Sequence, residues 1–415
     1  MALSPKLAAP HNRLAWIDWM RGLACILMFQ THCYDAWLGG EARNTGFLKT
    51  SQLLGTLPAP LFLFLAGISF ALITGKLIGK NLSAAEIGRK LAYRGAEVLA
   101  FGFLFRLQEF VIAWGWAPWS DVLRVDILNI IGLSMILMAL VCWLTLSVWK
   151  RFSAPPLDRS EPTPWLGAPP DAQQTPKKKP GFRPQDLSLV GTALIAAAVI
   201  AILTPPLYTT WRPTWLPWPI ESYIDGCHNL GAPQPWLFSL FPWSAFAFAG
   251  LAAGFILFSE TARTRTTHTL ALLAVIGAAA VAVAYGLDHS PIRWYAVYDY
   301  WHTSPNFLMM RVGLLLVIAF LAYAWCQWGL ATRGFSPFLQ LGQTSLLVYW
   351  VHIELVYGKF SLLPKREESI SAASRGFIEI TLLMIILSML RTRIDWKTMA
   401  ISLRARMKTH TAAAS

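Results

Sequence analysis

One apolar stretch near the start of the chain carries three ionisable side chains: Leu14-Ala-Trp-Ile-Asp18-Trp-Met-Arg21-Gly22-Leu-Ala-Cys25-Ile-Leu-Met28-Phe-Gln-Thr-His32. At 100° per residue Asp18 and Arg21 are helical neighbours, and Arg21, Cys25, Met28 and His32 follow on one narrow stripe. The 1.5 Å rise puts His32 about 21 Å along the axis from Asp18. An imidazole titrates near neutrality and serves as base, acid or nucleophile. The carboxylate–guanidinium pair is either a mutually neutralising structural pair or a ligand contact, and both readings stand. In a membrane helix each such group costs roughly 2.5–3.5 kcal/mol at mid-depth, so function is the default reading.

Other polar groups interrupt later apolar runs: Arg106 and Glu109; Asp121, Arg124, Asp126 and Asn129; His302, Asn306 and Arg311; His352 and Glu354. The orientation derived below puts all of them, with His32, toward one membrane face. This predicts a polar cavity opening outward, lined by the first, third, fourth, eighth and ninth spans. Taken singly, Arg124 and Asp126 read equally as rim charges, and His302 as a loop residue. No G-x-S-x-G elbow occurs, which argues against a serine hydrolase. Five cysteines without a CxxC pair or Cys/His ligand spacing argue against a metal site or a disulfide framework, so no metal is expected.

The elements that must position these residues are membrane helices. Of 415 residues, 55% are hydrophobic and 14% charged, against roughly 25% charged in soluble domains. The mean hydropathy is +0.46. Spans of about 20 apolar residues fall at about 14–34, 52–75, 91–113, 124–148, 187–207, 237–258, 268–287, 305–328, 335–357 and 374–393. The expected fold is therefore all-α, a polytopic membrane helix bundle of about ten spans. The first run has no small-residue cleavage pattern behind it and reads as a span. Residues 208–236 hold too many prolines and polar groups to cross and read as an ordered loop with Trp at the interface.

The net charge of +13 lies mostly between spans. Of the 35 Lys and Arg, 23 fall on the side of both termini and seven on the other. This predicts cytoplasmic N- and C-termini in the plasma (inner) membrane, and it argues against nucleic acid as a partner. The organisation expected is a four-helix segment over 1–148, a flexible Pro-rich cytoplasmic linker over 149–186, a six-helix segment over 187–395 and a basic tail over 396–415, forming one membrane domain. A homodimer is left open as its assembly.

The opening block Arg13-Leu-Ala-Trp-Ile-Asp18-Trp-Met-Arg21-Gly22, with Met28 and His32 after it, resembles the start of transmembrane acyltransferases. It is most similar to bacterial members of the heparan-α-glucosaminide N-acetyltransferase-like family. Pro60-Leu-Phe-Leu-Phe-Leu-Ala-Gly67-Ile-Ser69, Arg124-Val-Asp126-Ile-Leu-Asn129-Ile-Ile-Gly132, Phe241-Pro242-Trp243 and Ser345-Leu-Leu-Val-Tyr349-Trp350-Val-His352-Ile-Glu354 are similar to further blocks.

The resemblance implies transfer of an acetyl or short acyl group from cytosolic acetyl-CoA, as co-substrate, to a hydroxyl or amine of an extracytoplasmic glycan or amino sugar. On that reading Arg13, Arg89, Lys90 and Arg94, with Asp18 and Arg21, hold the donor. His32 acts as general base or transient acyl carrier, with His352 the rival base. Asp126 or Glu354 orients the imidazole, and Asn129, Arg124 or Arg106 stabilises the oxyanion. Arg106, Glu109, Arg124, His302, Arg311 and Glu354 line the acceptor cavity. The alternative is a transporter or flippase using the same cavity, against which the absence of an internal repeat counts.

Overall fold

The computed structural model describes residues 14–115, 118–153, 183–226, 238–296, 299–328 and 334–394. Arg13, most of the expected linker and the basic tail lie outside them. The described chain is an all-α polytopic membrane bundle. Its helices are α1 (Ala15–Trp37), α2 (Gly40–Arg43), α3 (Gly46–Gly55), α4 (Pro58–Ile78), α5 (Ala84–Ile112), α6 (Ile127–Ser153), α7 (Pro184–Tyr208), α8 (Trp218–Ile224), α9 (Leu240–Leu257), α10 (Glu260–Thr264), α11 (Thr266–Asp288), α12 (Pro305–Trp328), α13 (Pro337–Gln343), α14 (Ser345–Val356) and α15 (Ile370–Arg393), with a 3-10 turn at Trp119–Leu123.

Each of the ten expected spans coincides with a helix, with two differences of shape. The second begins at Pro58 instead of continuing from residue 52, because proline is accepted in the first turn of a helix, where no N–H is needed. Residues before it form α3 separately. The ninth is broken at Thr344 into α13 and α14. The 208–236 loop contains the single short helix α8 within its described part.

The burial pattern is that of a chain solvated by lipid. On α7 the buried positions include Ala193, Ala197, Ala201 and Thr204, while Leu194, Ile195, Val199 and Ile202 are exposed. Small residues at helix contacts and large aliphatic ones outside suit hydrocarbon and would be a liability in water.

Two compact units form, one from the residues up to Ala59 with those from Leu321 onward, the other Pro60–Phe320. In the second unit, backbone contacts at glycines set the packing: a Cβ at Gly67 would overlap the Ala247 carbonyl, and one at Gly250 the Phe64 carbonyl, which locks α4 on α9. Gly95 and Gly102 on α5 likewise meet Gly132 and Asn129 of α6. Helix α5 starts with a capping box, in which Ser83 and Glu86 satisfy each other's backbone N–H groups.

In the first unit, α1 is packed against α13, α14 and α15. A Cβ at Gly22 would overlap the Phe338 carbonyl, and one at Gly342 the Asp18 carbonyl, so α1 and α13 touch backbone to backbone. Trp19 stacks on Phe338 at 4.8 Å beside this contact. At its other end α1 is closed by residues 366–368: the N–H groups of Arg366 and Glu368 donate to the carbonyls of Ala36 and Trp37 at 2.9 and 2.8 Å. These bonds satisfy acceptors that a helix end leaves unpaired.

Candidate active site

The first unit brings His32 and His352 together, although 320 residues separate them in the chain. His32 Nδ1 lies 2.9 Å from His352 Nε2, and the rings are parallel to within 7°. His352 is fully buried, and its Nδ1 lies 3.0 Å from the Val348 carbonyl one turn earlier on α14. A carbonyl only accepts, so that nitrogen carries the proton in the neutral ring. His352 Nε2 is then an acceptor, and His32 Nδ1–H donates to it. The proton-accepting position of His32 is therefore Nε2.

Tyr357 meets the His32 ring edge-on at 5.3 Å, and its hydroxyl donates to Asp35 Oδ2 at 3.0 Å. Arg43 donates to Asp35 Oδ1 at 2.9 Å and to the Asp35 carbonyl at 2.6 Å. Asp35 lies three residues after His32, so α1 presents both to α14 at the same end. Asp35, Arg43 and Tyr357 were not among the sequence candidates. The i, i+3 spacing of His32 and Asp35 was the available signal.

At the other end of α1, Asp18 is 3% exposed and accepts from Arg21 Nη1 at 3.2 Å. Cys25 and Met28, between this pair and His32, are buried. Glu354 is on α14, two residues beyond His352.

In the second unit Arg106 bonds Glu109, and its Nε lies 3.9 Å from Asp126 Oδ2. Arg124 interacts electrostatically with Arg106, Glu109, Asp121 and Asp126. Asp126 and Asn129 open α6: the Asp126 N–H donates to Asn129 Oδ1 at 3.2 Å and the Ile127 N–H to Asp126 Oδ1 at 2.6 Å. Both residues thus serve the helix start, and Asp126 belongs to the charge network as well. Tyr223 of α8, absent from the candidates, is coupled electrostatically to Arg106 and Asp126, and its ring lies 6.2 Å from Phe103.

Also on α8, Glu221 is buried 3.7 Å from Arg212. Burial and the nearby Asp225 charge hold its carboxyl above the usual range, against the opposing pull of Arg212. Arg311 is buried with its guanidinium 4.9 Å over the Phe307 ring. Exposed His302 is held by Asp299 at 2.7 Å. Arg89, Lys90 and Arg94 are exposed on the first part of α5, with Arg94 3.5 Å from Glu97.

An imidazole on the first long helix, oriented by a second buried imidazole and preceded by an Asp–Arg pair, agrees with the resemblance noted in the sequence. Residues 13–154 match the family model described as heparan-alpha-glucosaminide N-acetyltransferase, catalytic. This stretch belongs to that family. The match covers α1 through α6, so it includes Asp18, Arg21, His32, Arg106, Asp126 and Asn129 and stops short of His352 and Glu354. That family is one of membrane acetyltransferases, and the match spans residues 13–154 of the 415. No curated protein matches the chain.

Proposed function

We propose that the protein transfers an acetyl group from acetyl-CoA to a hydroxyl or amine of a glycan-type acceptor, with His32 as the working base. The observation that supports this reading is the imidazole pair. His352 accepts from His32 Nδ1 and so fixes the tautomer in which Nε2 receives a proton. In the reaction the acceptor's O–H or N–H proton passes to His32 Nε2. The acceptor atom bonds the acetyl carbonyl carbon and the C–S bond breaks. The CoA thiolate then takes the proton from His32, so charge and atoms balance. The same Nε2 suits a route in which the ring carries the acetyl group for part of the cycle.

Within the first unit, Asp18 and Arg21 are assigned to the donor and Glu354 to the acceptor. Arg13, Arg89, Lys90 and Arg94 are assigned to the donor as further cations. In the second unit Arg106, Glu109, Arg124, His302 and Arg311 are assigned to acceptor recognition, with Asp126 and Asn129 holding that network. The Lys and Arg distribution favours cytoplasmic termini in the inner membrane.

The test uses purified protein in nanodiscs with acetyl-labelled acetyl-CoA. Wild type should release CoA slowly or transfer label to added amino sugars, and His32→Ala should abolish this while still binding CoA. Label trapped on the protein in wild type but not in His32→Ala would identify the acyl-carrying route. Turnover unchanged in His32→Ala would remove His32 from the chemistry.

A further inference from the structure

A cavity of about 590 Å³ opens in the first unit where α13 gives way to α14 beside the last turn of α15. Among the described residues its polar lining is Arg391, Arg393, Gln343, Thr344 and Thr392, with two aliphatic side chains beside them. Among these no carboxylate lines it, and neither arginine is paired with a described carboxylate.

The wall is built rigidly. Thr344 Oγ1 donates to Ser388 Oγ at 2.6 Å, and Ser388 Oγ donates to the Gln340 carbonyl at 2.8 Å. The Gln340 amide reaches Ser388 and Thr392 at 2.9 and 3.0 Å. The threonine hydroxyls are thus engaged in the wall, which leaves two guanidinium forks and the Gln343 amide as the groups offered to a ligand. Guanidinium forks match the oxygens of a phosphate bidentately. The volume falls in the range of small-molecule sites, roughly 300–1,000 Å³, and exceeds what a lone phosphate needs.

We infer that this cavity binds the phosphate-bearing end of a larger molecule. Two sources share that chemistry: the nucleotide end of the CoA donor and the headgroup of an anionic phospholipid. The donor assignment rests on the acyl-transfer reading, and the cavity's position suits it. Gly342, next to Gln343, packs on the Asp18 carbonyl, so the cavity adjoins the Asp18–Arg21 end of α1. His32 lies about 21 Å further along that helix by its rise.

The experiment compares wild type, R391Q/R393Q and R391K/R393K in phosphatidylcholine nanodiscs with two probes, CoA and labelled phosphatidylglycerol. If the donor occupies the cavity, the glutamine pair raises the Kd for CoA at least tenfold, the lysine pair falls between, and wild-type affinity weakens with added salt. If CoA binding is equal in all three while phosphatidylglycerol retention is lost only in the glutamine pair, the phosphate site stands and its ligand is lipid. Wild type that binds no CoA defeats the acyl-transfer reading, and the lipid probe alone then judges the cavity. Both probes unchanged by R391Q/R393Q overturns the proposal. Should that variant fail to elute as a monodisperse species, R391Q with Gln343→Ala is read by the same two probes.

Discussion

His32 and His352 face each other as parallel rings with nitrogens 2.9 Å apart, and the Val348 carbonyl decides which of them donates. A buried imidazole with one nitrogen committed to a backbone carbonyl has a single remaining role, that of acceptor. In the proposed reaction His352 would position His32, much as a buried carboxylate positions the histidine of a serine protease.

This assignment makes a ranked prediction. His32→Ala should lower turnover on the order of 10²–10⁴, the usual worth of a general base. His352→Ala should lower it less, since base and site remain but the tautomer is no longer enforced. His352→Gln supplies a side-chain carbonyl for the His32 N–H and should recover part of the loss. Initial rates with labelled acetyl-CoA check the order, with CoA affinity unchanged throughout. Equal rates for the alanine and glutamine variants at 352 would contradict the tautomer argument.

The carboxylate of Asp35 is held by Tyr357 and Arg43 at once. A hydrogen bond to a charged group contributes about 1.5–3 kcal/mol. Tyr357→Phe should destabilise the first unit by roughly that amount, and Asp35→Asn should do so as well. Because the two residues share one bond, the double variant should cost less than the sum of the singles. The coupling expected for contacting residues is about 0.5–3 kcal/mol. Thermal melts of the four proteins in one detergent measure it, and strict additivity would mean that the bond contributes nothing.

Glycine contacts give a prediction in which one substitution has two signs. Gly342→Ala pushes a methyl group into the Asp18 carbonyl, where backbone on both sides cannot yield. Overpacking of this kind costs about 1–3 kcal/mol or more, so the variant should melt lower and lose CoA binding together with stability. Gly191, on α7, has open space around the position a Cβ would take. Gly191→Ala should be neutral or stabilise by up to about 1 kcal/mol through helix propensity. Melting temperatures of the two variants decide, and a similar drop in both would show that the contact at Gly342 is not the cause.

How much of this was legible in the sequence depends on the range of the interaction. Arg21, Cys25, Met28 and His32 fall on one stripe, with Asp18 beside Arg21, because helical periodicity is local, and α1 keeps that arrangement. The partner of His32 was not legible. Periodicity gives the face of a helix, and nothing in 320 intervening residues says which imidazole that face will meet. The break at Thr344 did have a local cue. The run through 335–357 carries the polar Gln343-Thr344-Ser345 at its middle, while its one glycine, Gly342, serves close approach to Asp18 rather than the bend. Pro58 was a missed local signal, since a proline early in an apolar run marks a helix start as readily as a kink. Tyr223 and Glu221 were missed because a segment too polar to cross the membrane was read only as a connection.

Glu221 carries the last prediction. It lies on α8, outside the membrane spans, fully buried beside Asp225, with Arg212 3.7 Å away. Burial, reinforced by the Asp225 charge, raises its carboxyl above the usual value, and the guanidinium offsets this only in part. The sign of the pH dependence follows. The unfolded carboxyl loses its proton at a lower pH than the folded one. Folding therefore takes up a proton between the two values, and stability falls as pH rises through that window. Glu221→Gln keeps the volume and removes the ionisation. It should raise the melting temperature at neutral pH and give little gain near pH 4, where the native carboxyl is already protonated. Melts across pH 4–8 check this. A Gln variant less stable than wild type at pH 7 would mean that the ion pair with Arg212 outweighs the burial of the charge.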